Sequence, residues 1–205
     1  MTVFIMAAGD SARCFNVPKQ LLVLPDGQTL LGRLTNQIRG YGYDPVTVTH
    51  RDSIREQSWR ASTPENRDTL CNSILSTNHL WSATNIFILG DVVLTRHGMQ
   101  TIMQVDKEVA VYGNEAEIYA MRFDLTHTDA VEAALTHGAA YKLGKLRYFY
   151  KSYVGLPLGG PDMENNTLVW LRDATNDIDS LEEYENMLRA WSVAGNQPGY
   201  YHGED

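Results

Sequence analysis

The chain of 205 residues is 43% hydrophobic and 20% charged, proportions that exclude a disordered tail, a fibrous repeat or a disulfide-stapled peptide and predict a single compact domain over residues 1–205. Seventeen basic against 25 acidic side chains leave a formal charge of −8, which argues against nucleic acid or an anionic membrane as a partner and leaves room only for a local basic pocket. Cys14 and Cys71 form no CxxC pair and no apolar run approaches the roughly 20 residues of a membrane helix, so a soluble, cytoplasmic protein without disulfides or structural zinc is expected.

Short β-prone runs alternate with longer helical ones, the pattern of a three-layer α/β/α fold with a mostly parallel central sheet. Val3–Ala8 is the first predicted strand, followed by a polar loop to Gln20 and a helix over Thr29–Arg39, where Leu30, Leu31, Leu34 and Ile38 share one face and Gly40 and Gly42 supply a stop. Pro45–Thr49 reads as a second strand, and a helix over Leu70–Leu80 leads into Asn85–Leu89, an unbroken apolar strand buried on both faces and ending at Gly90-Asp91. Glu108–Tyr112 and Tyr119–Phe123 read as strands and Asp129–His137 as a helix. The stretch from Tyr141 to Met163 combines Lys142, Lys145, Arg147 and Lys151 with four tyrosines and a Gly/Pro turn, and reads as an insertion beside the sheet. Thr167–Leu171 is the last predicted strand, and Ser180 with Glu183 has capping-box spacing at the start of a final helix.

In an open α/β sheet, ligands bind where strands deliver their carboxyl ends, which directs attention to two places. Behind the first strand stand Ala7-Ala8-Gly9-Asp10-Ser11-Ala12-Arg13 and, four residues later, Pro18-Lys19-Gln20-Leu21-Leu22. Small residues let backbone N–H groups approach an anion, while one Arg and one Lys can neutralise a polyphosphate. A simple turn with solvated cations is the plainer alternative for such a loop taken alone. No P-loop or dinucleotide fingerprint competes with it.

This loop resembles the signature of the nucleotidyltransferases with a GT-A-type fold, which include sugar-1-phosphate nucleotidyltransferases, methylerythritol phosphate and phosphocholine cytidylyltransferases and the molybdenum-cofactor guanylyltransferase. The family pattern is Ala-Ala-Gly-x-Gly/Ser-x-Arg with Pro-Lys several residues later, and Cys14 departs from the usual methionine. The resemblance implies that Ala7, Ala8, Gly9, Asp10, Ser11 and Ala12 bind nucleotide and that Arg13 and Lys19 are catalytic. The second place, Gly90-Asp91, is then the family's metal-holding Gly-Asp. Asn176-Asp177-Ile178-Asp179-Ser180-Leu181-Glu182-Glu183-Tyr184 is similar to its Asp-Ile-Asp-Thr-Pro-Glu-Asp-Tyr element, with leucine in place of proline. The implied cofactor is Mg²⁺ or Mn²⁺ on Asp91 and Asp179, helped by Asp177. Capping of the last helix explains Asp177 and Asp179 equally well when each is taken alone.

Arg67-Asp68-Thr69-Leu70-Cys71-Asn72-Ser73 is similar to the Arg-x-Asp-Ser-Val stretch that contacts nucleotide in cytidylyltransferases, which puts Thr69 near the base or ribose and leans the nucleotide towards CTP; a helix N-cap is the other reading. The basic 141–151 segment sits where family members carry acceptor-binding residues, against which stands a row of solvated lysines over a tyrosine-containing strand. The implied reaction is magnesium-dependent transfer of a nucleoside monophosphate from an NTP to a phosphorylated small molecule, as in sugar-nucleotide biosynthesis, with release of pyrophosphate. A glycosyltransferase on the same fold and a silent nucleotide or sugar-phosphate sensor are the alternatives. Relatives often pair through the inserted segment, so a homodimer is compatible with the resemblance.

Overall fold

The structure is a computed structural model that describes residues 1–9, 17–141, 145–159 and 165–194, with backbone alone from 190 onwards. In chain order the elements are β1 (Thr2–Met6), α1 (Leu30–Gly40), β2 (Val46–Val48), α2 (Asp52–Arg55), β3 (Arg60–Ser62), α3 (Leu70–Leu75), β4 (Thr84–Leu89), β5 (Val92–Val93), α4 (Arg96–Gln104), β6 (Val109–Gly113), β7 (Ile118–Asp124), α5 (Thr128–Ala140), α6 (Leu146–Val154), β8 (Leu168–Trp170), β9 (Asn176–Asp177) and α7 (Leu181–Ala194).

Seven strands form one sheet in the order β3-β2-β1-β4-β7-β6-β8. β3, β2, β1 and β4 are parallel, as are β6 and β8, while β7 runs against both of its neighbours. The sheet is therefore mixed and mostly parallel. Helices cover both faces, so the central strand β1 is apolar on both sides: Val3 and Ile5 face one layer with Leu31, Leu34 and Met99, while Phe4 and Met6 face the other with Leu135 and Phe149. Phe4 and Phe87 stack on adjacent strands at 4.5 Å between ring centroids, a pairing that parallel register makes possible because Phe4 lies opposite Phe87.

Local chemistry accounts for the boundaries. The Thr29 hydroxyl accepts from the Gly32 amide at 3.0 Å and starts α1. The helix expected over Leu70–Leu80 stops at Leu75, because the Ser76 and Thr77 hydroxyls donate to the carbonyls of Asn72 and Ile74 and compete with helix continuation; a single 3₁₀ turn, Asn78–Leu80, follows. The tyrosine-rich stretch after Tyr141 is a helix, not a strand. Leu146, Phe149 and Tyr150 of α6 recur at helical spacing and are buried, and Gly155 at φ 73° ends the element in the left-handed region. Lys151 is not solvated: it is 5% exposed and its Nζ donates to the Leu158 carbonyl. Among the described residues no helix is long and apolar enough to cross a membrane.

The topology decides where a ligand can meet the chain. β1, β4, β6 and β8 all deliver their carboxyl ends to one rim, and β7 begins there. From that rim leave Ala8-Gly9, Gly90-Asp91, the Gly113–Glu117 turn and the segment that leads from Trp170 to β9.

Candidate active site

Asp91 follows directly on β4. The Gly90 amide still donates to the Met6 carbonyl at 2.9 Å, and a Cβ on Gly90 would lie 2.9 Å from that oxygen and 3.3 Å from both Gln20 and Ile5. Glycine is thus required by close approach, and it fixes where the Asp91 carboxylate leaves the sheet. The chain then forms β5, which pairs antiparallel with β9 so that Val92 lies opposite Asp177 and Val93 opposite Asn176. The amide of Ile178 donates to the Asp91 carbonyl at 3.0 Å. Asp91 and the late acidic pair, far apart in sequence, are joined by backbone.

Lys19 rises from a 3₁₀ turn that begins after Pro18. Its ammonium lies 2.5 Å from Asp179 Oδ1 and 3.4 Å from Asp91 Oδ2, with only 12% of the Lys19 side chain exposed. Burial alone would lower the Lys19 pKa, but the hydrogen bond to Asp179 and the charges of Asp91 and Asp179 outweigh it and hold it above the ordinary lysine value. Burial raises Asp91, against the pull of Lys19. Asp177 is pushed up to about 6, first by burial and then by the charges of Asp179 and Asp91.

The two readings of the acidic pair now separate. The cap of α7 is made by Ser180 and Glu183: the Ser180 Oγ accepts from the Glu183 amide at 3.1 Å, and Glu183 Oε2 accepts from the amides of Asp179 and Ser180 at 2.6 and 2.9 Å. The Asp179 carboxylate is left for Lys19. Asp177, two residues earlier in extended backbone, lines the same cleft.

That cleft, about 430 Å³, opens at the rim of the sheet and is lined by Ala8 and Gly9 together with Asp91, Asp177 and Asp179. Ala7 stays in the sheet layer: it is buried and its amide donates to the Val48 carbonyl at 2.9 Å, so that N–H is already committed. Asp10, Ser11, Ala12 and Arg13 lie outside the described residues. Thr69 is an N-cap, its hydroxyl accepting from the Asn72 amide at 3.1 Å, and it also lines the cleft, as do Arg67, Asp68 and Ser73. The cleft is also lined by a pair of which the sequence singled out only Lys145, within the basic 141–151 segment. Glu117, 8% exposed, receives the ammonium of Lys145, and the hydrogen bond between them is the main reason that the lysine pKa is raised. Glu117 is aimed there by a tight turn, in which the Asn114 side chain accepts from the amides of Ala116 and Glu117. The alternating apolar run on either side was legible, but nothing in it marks the turn acid as inward-facing.

Oxygen ligands of this kind suit a hard divalent cation, which takes one or two carboxylates and completes its shell with water and substrate phosphate. Among the described residues no three His, Cys, Asp or Glu side chains form a ready-made metal cage. The fit lies elsewhere: Asp91, Asp177 and Asp179 line one cleft, and the charges of Asp179 and Asp91, which add to burial in raising Asp177, are what a bound cation would relieve. These residues fit magnesium or manganese.

The chain shares its fold with solved nucleotidyltransferases. The CTP:phosphocholine cytidylyltransferase from Streptococcus pneumoniae matches with a TM-score of 0.63 at 15% identity, over 92% of this chain and 98% of that one. The inositol-1-phosphate CTP transferase from T. maritima matches with a TM-score of 0.60 at 12% identity, over 93% and 96%. A Bacillus anthracis protein assigned as a glucose-1-phosphate thymidylyltransferase, solved with sucrose, matches with a TM-score of 0.63 at 10% identity, over 93% and 94%. No known family's sequence profile matches the chain, and no curated protein sequence does. The fold expected from the loop signature is the fold found.

Proposed function

We propose that the protein transfers a nucleoside monophosphate from an NTP to a phosphorylated small molecule, releasing pyrophosphate. The observation that carries this reading is the ammonium of Lys19 held jointly by Asp91 and Asp179, two carboxylates that line a cleft at the carboxyl ends of the strands. An oxygen of the acceptor phosphate attacks the α-phosphorus, the bond from that phosphorus to the bridging oxygen breaks, and pyrophosphate leaves with the electron pair. The nucleophile is already ionised near neutral pH, so no general base is required, and catalysis rests on positioning and charge neutralisation.

Each residue then has a task. The loop from Ala8 to Arg13 would cradle the triphosphate, with Arg13 on its distal charge and Lys19 countering the charge that builds on the α-phosphoryl oxygens. Asp91 and Asp179, with Asp177, would hold a magnesium ion, which when bound would supply neutralisation of phosphate charge. Thr69 and its neighbours face the base or ribose. Lys145, steadied by Glu117, offers the acceptor phosphate a cation from the 141–163 stretch. The likeness of the Arg67–Ser73 stretch to the nucleotide-contacting segment of cytidylyltransferases leans the nucleotide towards CTP, which two of the solved structures that share the fold also name.

A release assay tests this reading: the four common NTPs, each with magnesium, against a panel of phosphorylated sugars and alcohols. Pyrophosphate appearing with one acceptor supports it. Release of a nucleoside diphosphate from a sugar nucleotide, or binding without turnover across the panel, overturns it.

A further inference from the structure

A two-residue strand has almost no register of its own, yet β9 delivers both acids of the C-terminal element. A slip of one residue past β5 would turn Asp177 away from the cleft and bring a neighbour in. Two contacts outside the ladder oppose such a slip. On one side Asp173 Oδ2 accepts the Thr95 hydroxyl at 2.5 Å and its Oδ1 accepts the Thr175 amide at 2.9 Å, while the Thr175 hydroxyl accepts from the Thr95 amide at 3.3 Å. Thr95 and Thr175 are 7% and 2% exposed, and the knot closes over Gly98, where a Cβ would stand 2.5 Å from the Thr175 hydroxyl. On the other side the Tyr119 hydroxyl, from a fully buried side chain of β7, donates to Asn176 Oδ1 at 3.1 Å. Thr95, Asp173 and Tyr119 are not among the residues that line the cleft.

We propose that Asp173 and Tyr119 are positioning residues, which clamp β9 from two sides and so set Asp177 and Asp179 at a fixed distance from Asp91. The inference rests on the proposed nucleotidyl transfer. Groups that orient metal ligands without touching the metal typically change metal affinity by tenfold or more when removed.

The test reads metal binding without turnover: Mn²⁺ affinity in the presence of inorganic tripolyphosphate, followed by water-proton relaxation well below the melting temperature. Asp173→Ala is expected to weaken Mn²⁺ binding about tenfold, Tyr119→Phe to weaken it in the same direction, and Thr95→Ser, which keeps the hydroxyl, to retain wild-type affinity. Folded variants that melt earlier but bind Mn²⁺ like the wild type overturn the inference and leave the proposed reaction standing. Should Asp173→Ala not fold, Tyr119→Phe, which removes one oxygen, carries the same comparison. A wild-type protein that binds no Mn²⁺ with tripolyphosphate overturns both.

Discussion

Lys19 and Asp179 stand 160 positions apart in sequence and meet at 2.5 Å, with Asp91 on the other side of the same ammonium. One cation therefore gathers three segments: the turn after the first loop, the end of β4 and the start of the last helix. This ion-paired knot holds the carboxylates close, and under the proposed function a bound triphosphate would give the lysine a new partner while the acids take up metal.

Lys19→Ala and Asp91→Ala should each lower turnover at least about a hundredfold, the scale of removing one preorganised charged group. Pyrophosphate release under saturating substrates measures it. Rates within a few-fold of wild type in either variant would remove these residues from the mechanism.

Asp177 gives a stability signature with a definite sign. Its carboxyl holds a proton more tightly folded, up to about 6, than in the unfolded chain, near ~4. Ionising it in place costs the fold nothing below pH ~4, a growing amount up to pH 6 and the full amount above. Asp177→Asn should therefore stabilise the metal-free protein by about 1 kcal/mol at pH 8, after allowance for solvent on its open side, and by nothing at pH 4. Denaturant melts in EDTA at the two pH values check this, and an equal shift at both would contradict it.

Gly90→Ala should destabilise the protein by about 1–3 kcal/mol, because the added methyl meets the fixed Met6 carbonyl 2.9 Å away and no flexible side chain can simply step aside. Thermal unfolding reads the loss, and turnover should fall with it since Asp91 is the next residue.

Lys145→Ala and Glu117→Gln should raise KM for the phosphorylated acceptor, about tenfold for the lysine, with tripolyphosphate and Mn²⁺ binding unchanged. Steady-state kinetics with each substrate varied in turn separates the two. A rise in the nucleotide KM alone would assign the pair to the other substrate.

Much of this was legible before any coordinate. The strands through Val3–Ala8 and Asn85–Leu89 announce themselves because a strand buried on both faces has to be apolar at every position. The helix α1 shows a clean stripe and a glycine stop, and the Ser180–Glu183 box reads directly from its spacing. Lys19, Asp91 and Asp179 were reached through the loop signature, and the structure brings them together. What escaped depends on tertiary context. β5 and β9 are two residues each and exist through each other, so neither carries a periodic signal. The α6 stretch has helical spacing in Leu146, Phe149 and Tyr150, but its tyrosines and lysines suggested a strand with a wet face. The reversal of β7 follows from a short turn that composition alone does not reveal.

That reversal has a consequence for how such a fold diversifies. A parallel successor to β6 would need a crossover of a dozen or more residues before returning to the sheet, whereas the antiparallel β7 comes back at once. The wall bearing Glu117 is thus a hairpin tip anchored at both feet in the hydrogen-bonded sheet. Residues grafted into it lengthen the tip and leave the strands untouched, which makes this the natural place to resize the cavity for a bulkier co-substrate.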